Sequence, residues 1–95
     1  MNHDLKITPA YFQAVIEGRK TFEIRQNDRG YQAGDTVTLQ EWDDNMPRPS
    51  DWPPMRDQRW KFTRRSVVRE VGYVTGFEQR PNWVVFSLLR IEGQN

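Results

Sequence analysis

The chain has 95 residues, 14 bases against 13 acids for a net charge of +1, one histidine and no cysteine. That length makes one domain, residues 1–95, burying only about 60–65% of its unfolded surface; the lack of cysteine excludes disulfide staples and thiolate chemistry. The near-neutral balance excludes strong nonspecific attraction to polyanions, so any affinity for nucleic acid must come from local clustering of charge.

The opening MNHDLKITPAYF lacks the apolar core of a signal peptide, and no apolar run approaches the roughly 20 residues that span a bilayer. A cytoplasmic protein without membrane contact is expected. His3 to Ile7 alternate and put Leu5 and Ile7 on one face, as a short first strand does. Thr8 followed by Pro9 signals a helix start, with Thr8 as N-cap and Pro9 in the first turn, where its missing N–H costs nothing. Phe12, Val15 and Ile16 share one helical face, and Gly18 is placed to end the helix in the left-handed conformation. So short a helix persists only when packed on a sheet.

GRKTFEIR, from Gly18 to Arg25, joins the helix to a second strand. Alternation over Thr21–Arg25 sends Phe22 and Ile24 to a core face and Thr21, Glu23 and Arg25 to a charged face, with Glu23 and Arg25 about 6.6 Å apart. The turn formers of QNDRGYQAGD then make a loop, and Thr36–Trp42 alternates as a third strand, with Val37 and Leu39 on one face. From Asp43 to Arg59 periodicity stops; Pro47, Pro49, Pro53 and Pro54 are interleaved with Met46, Trp52 and Met55, which favours a packed lid over a free linker. Thr63–Val74 and Trp83–Ile91, joined by the turn Gly76–Asn82, read as two closing strands. Both faces of the last are largely apolar, which predicts a strand between a barrel interior and a covering helix. The whole reads as α+β, a small mixed barrel with one helix early.

The charged face is the main site candidate. Lys20, Glu23 and Arg25 read either as an anion-binding fork or as a plain solvated strand face; on the first reading Lys6, Asn27, Arg29 and Trp42 are further nucleic-acid contacts. Opposite charges this close favour both ionised forms, which suits recognition better than general base catalysis. A second basic patch runs through Arg56, Arg59, Lys61, Arg64, Arg65 and Arg69 with Trp60 and Phe62 among them; it reads either as a single-strand track or as an edge protected by charge, with the two rings folded inward. Trp42 and Trp52 are the pocket candidates among four tryptophans, and Trp83 fits the core. Glu41, Asp43 and Asp44 are expected to be solvated; no metal or cofactor is predicted.

At GRKTFEIR the chain resembles the ASCH group of the PUA-like superfamily, in its branch of short uncharacterised phage and bacterial domains. The resemblance is close over residues 3–42 and loose over 62–91, with the motif at Gly18, Lys20, Glu23 and Arg25 and an AGD turn at Ala33–Asp35. It implies a PUA-like β-barrel of about five to six strands, with one N-terminal helix beside a cleft lined by the motif, and binding of single-stranded RNA or a nucleotide. It also implies an alternative, a hydrolase of ribonuclease or amidohydrolase type with Lys20 and Glu23 as catalytic pair. The amidohydrolase relatives use a Lys, a Thr on the motif strand and a Glu from a later helical insertion. Lys20 matches the first, Glu23 stands where the Thr would be, and the loop at 43–59 has no helical pattern. A further alternative is a phage accessory protein that binds a host protein through that loop.

Overall fold

The computed structural model describes residues 1–52 and 57–93. Five strands and one helix follow the order β1 (Asn2–Ile7), α1 (Pro9–Ile16), β2 (Phe22–Gln26), β3 (Thr36–Trp42), β4 (Phe62–Thr75) and β5 (Trp83–Arg90), with a short 3₁₀ turn at Arg59–Lys61 before β4. The strands form one curled sheet in the order β1-β3-β4-β5-β2, a small α+β, barrel-like fold. β1 runs parallel to β3, and the other pairs are antiparallel. Among the described residues no helix is long and apolar enough to cross a membrane.

The concave face carries the core. Leu5, Ile7, Val37, Leu39, Val67, Val71, Val84, Phe86 and Leu88 alternate inward from their strands, and Phe12 and Val15 of α1 close over them. Thr8 is extended at the helix N-terminus and its carbonyl accepts the Phe12 N–H at 2.8 Å, although its hydroxyl makes no capping bond. At the other end Gly18 takes φ +78°, so that its N–H reaches Val15 O at 3.1 Å and the Arg19 N–H reaches Ala14 O at 2.9 Å. This left-handed stop turns the chain sharply and delivers Lys20 to the start of β2.

Two irregularities curl the sheet. β4 is 14 residues long, and its register against β5 shifts between Val71 and Val74, where the Tyr73 N–H donates to Ser87 Oγ at 2.9 Å. Such a bulge bends a strand and raises its twist, and Gly72 is needed there because an added Cβ would meet Ser87 Oγ at 2.5 Å. The second shift lies between Gln40 and Trp42, opposite Arg64, which takes φ +72°.

Two expectations are corrected. In β2, Glu23 is 4% exposed while Phe22 and Ile24 are 43% and 48% exposed, so the charged residue faces inward and the apolar pair outward. The register explains it: Glu23 lies opposite the buried Phe86, and Ile24 opposite Val85 on the convex side. In β5 the convex face is not covered by the helix, which packs on β3; Leu89 is exposed, and Trp83, Val85 and Ser87 are half-buried.

Candidate functional site

β1 and β2 end the sheet and face each other without pairing. Between them opens a cleft of about 640 Å³, lined by four bases (Lys6, Lys20, Arg25, Arg29) and two acids (Glu23, Asp28), with Tyr11, Phe22, Tyr31 and Trp83 supplying aromatic surface.

Glu23 is its centre. One carboxylate oxygen accepts from the Lys20 ammonium and the other from Arg25 Nε at 2.8 Å. The side chains of Glu23, Lys20 and Arg25 are 5%, 14% and 26% exposed. A carboxylate this deep is tolerated only when paired and hydrogen-bonded, and here both oxygens are. The cations are anchored a second time on main-chain oxygens. Lys20 donates to Phe22 O at 2.7 Å on the free edge of β2, and Arg25 Nη2 donates to Lys6 O at 2.7 Å on the free edge of β1. Arg29, from the turn after β2, donates to Asp4 O at 2.8 Å. Side chains rather than a backbone ladder thus bridge the gap.

The aromatic residues are placed at two depths. The Lys20 ammonium lies 5.4 Å from the exposed Tyr11 ring and 5.2 Å from that of Phe22. Tyr31 is buried between His3 and Phe86, with ring centroids 4.8 Å from each, and burial pushes its phenol pKa above the ordinary value. Beneath it, His3 Nε2 and Asp35 Oδ2 are 2.9 Å apart, and that hydrogen bond is the main reason the Asp35 carboxyl is held down to about 2.

The cleft brings together Lys6, Lys20, Glu23, Arg25 and Arg29 of the expected site. Asn27 does other work: its side chain accepts the Tyr31 N–H at 3.0 Å and its N–H donates to Asn82 O at 2.7 Å, fixing the turn. Trp42 sits outside the cleft, under the Lys6 ammonium, and Trp52 of the 43–59 segment packs on Trp60 of the 3₁₀ turn that follows, with ring centroids 5.8 Å apart. The tryptophan that lines the cleft is Trp83, which sequence reasoning placed in the core. Tyr11, Tyr31 and Phe22 were also missed; a helix residue beside the apolar stripe and a loop tyrosine carry no local signal for a site.

The second basic patch is dispersed. Arg59 pairs with Asp57 at 2.6 Å, Lys61 with Asp44 at 3.2 Å, and Arg65 lies 3.7 Å from the buried Glu41 and 4.8 Å from the Phe12 ring centroid. Glu41 faces inward, where it accepts from Thr63 Oγ1 at 2.5 Å. Arg69 is buried on the concave face of β4, and desolvation together with Arg90 lowers its pKa. Trp60 and Phe62 are half-buried. Arg56, with Pro53, Pro54 and Met55 of the expected lid, lies outside the described residues.

The family described as a domain of unknown function, DUF3850, matches residues 2–88. Over 40 residues the chain is also 48% identical to a protein of Escherichia phage P2 described as an uncharacterized 12.9 kDa protein in the GpA 3′ region. That match takes in 42% of this chain and spans only 37% of the phage protein's length.

Proposed function

The chain belongs to the DUF3850 family, and since that description assigns no activity, we propose a function from the cleft itself: it binds single-stranded RNA or a nucleotide, in a domain of PUA-like, ASCH type. The observation that carries this reading is the pairing of Glu23, each of whose two oxygens is held by a cation. An ammonium has three N–H donors and a guanidinium five. Lys20 uses two, on Glu23 and Phe22 O, and Arg25 uses one on Glu23 and one on Lys6 O. The remaining donors are oriented by two anchors each, around a carboxylate that already holds a cation on each oxygen. Such a site suits a ligand rich in acceptors and negative charge, as phosphate and base carbonyls are, and Tyr11, Phe22 and Trp83 offer stacking surface for a base.

Hydrolysis is the weaker reading. A general base needs an oxygen within hydrogen-bond reach of the substrate proton, and each oxygen of Glu23 is already turned to a cation.

The test is a titration of labelled single-stranded RNA by fluorescence anisotropy at stepped salt. Charge-assisted hydrogen bonds contribute about 1.5–3 kcal/mol, so Lys20→Ala and Arg25→Ala should each weaken binding by about 10- to 100-fold and flatten the salt dependence. Unchanged affinity in both variants would sink the proposal.

A further inference from the structure

Trp42 stands one strand away from the cleft and is joined to it by Lys6. Inside the cleft the Lys6 main-chain oxygen accepts Arg25; on the convex face the Lys6 ammonium lies 4.2 Å from the centroid of the Trp42 ring. The ring is held in orientation by its surroundings. Its indole N–H donates to Asp44 Oδ1 at 3.0 Å, and Phe62 packs edge-on with centroids 4.7 Å apart. Lys61, bonded to the same Asp44 oxygen at 3.2 Å, stands 5.8 Å from the ring centroid. Trp42 is therefore a half-buried aromatic platform of fixed orientation, covered on the cleft side by one long, exposed lysine side chain.

Magnitudes decide whether that cover is replaceable. A cation–π contact at an exposed site is worth about two- to fivefold in an equilibrium constant. A base stacked on an aromatic side chain is worth about 5- to 150-fold. Stacking therefore wins, and the displaced ammonium gains a phosphate partner.

We propose that Trp42 is a second subsite, and that the ligand is a single-stranded oligonucleotide: one nucleotide occupies the cleft, the neighbouring base stacks on Trp42, and Lys6 moves from the ring to the phosphate between them. The inference rests on the cleft reading above and adds that a mononucleotide fills only half of the site.

Isothermal titration of the full chain at one fixed salt concentration tests it, with adenosine 5′-monophosphate and a short single-stranded oligoadenylate as the two probes. The wild-type chain should bind the oligomer about 5- to 150-fold more tightly than the monomer. Trp42→Leu, which keeps an apolar contact for Phe62 but no π face, should bring the oligomer down to near the monomer's affinity and leave the monomer unchanged. Trp42→Phe should retain most of the oligomer's advantage. If the Leu variant holds the oligomer as tightly as wild type, or loses monomer and oligomer in equal measure, the second subsite is overturned and the cleft reading stands. If the wild-type chain binds neither probe, the cleft reading itself fails, and this inference with it.

Discussion

Glu23→Gln probes the inversion of β2 directly. The substitution keeps the side-chain shape but replaces one acceptor oxygen with an NH₂ donor, so one of the two cations loses its partner. Removing one partner from a buried pair costs about 3–5 kcal/mol. Lys20 and Arg25 keep 14% and 26% side-chain exposure, which places the expectation at the lower end. With about 3 kcal/mol lost, and 1 kcal/mol moving the Tm of a domain this size by about 4–8 °C, thermal unfolding followed by circular dichroism should shift down by about 12 °C or more. Ile24→Ser is the control at the adjacent position. Ile24 is 48% exposed, so roughly half of the transfer energy of about 1.5–3 kcal/mol is at stake, a loss of about 1 kcal/mol. Were the alternation oriented with the apolar pair inward, the order of the two effects would reverse, and Glu23→Gln would fall within the 0–1 kcal/mol of an exposed pair. A Glu23→Gln shift below about 4 °C refutes the buried trio.

Three further outcomes follow from other parts of the fold. Asp35 has a carboxyl pKa held down to about 2 against the usual 3.8, chiefly by His3; a depressed pKa stabilises above the unfolded value and the contribution is lost as pH falls through the folded one. Asp35→Asn should therefore flatten the acid limb of stability between about pH 4 and pH 2, measured as denaturant midpoints at stepped pH, and an unaltered limb would contradict the assignment. Gly72→Ala puts a methyl 2.5 Å from Ser87 Oγ and 3.0 Å from Leu89 carbons, and overpacking of this kind costs about 1–3 kcal/mol; a urea midpoint equal to wild type would show that the bulge has slack. Arg64 carries a side chain at φ +72°, a conformation that costs a non-glycine residue about 1–2 kcal/mol, so Arg64→Gly should be neutral or stabilising, and a clear fall in the midpoint would mean that the arginine side chain outweighs the strain.

What the sequence made legible is local. Thr8-Pro9 and Gly18 bracket α1 because capping and left-handed stops depend on residues within a turn of each other, and β3 runs over the expected Thr36–Trp42 because its alternation spans the whole strand. The facing of β2 was not legible. Alternation separates Phe22 and Ile24 from Glu23 and Arg25 but does not say which set turns inward; that depends on pairing with β5, 57–65 residues away in the chain. The usual rule fails there because Lys20 and Arg25 converge on the buried carboxylate, and breaches of local rules concentrate at functional sites. The second basic patch failed for the opposite reason. Arg59, Lys61 and Arg65 look like one run in sequence, but Asp57, Asp44 and Glu41 draw them to separate partners.

On the proposed reading the same cations serve stability and recognition, and this links the two. An open sheet leaves two edges whose unpaired groups can template another strand. Here Lys20 takes the Phe22 carbonyl on one edge, while Arg25 and Arg29 take Lys6 and Asp4 on the other. Three edge carbonyls are thus engaged by groups that keep further donors for a ligand. On that reading an anion entering the cleft uses the remaining donors without breaking these bridges, and a ligand that binds the folded chain and not the unfolded one adds its binding energy to the stability of the fold. Arg25 is the residue where this coupling is tightest, because among the described residues it alone contacts Glu23 on its own strand and the facing edge of β1. Its loss should loosen the cleft as a structure and as a binding site together, whereas loss of Arg29, which bridges to β1 but does not touch Glu23, should affect each less.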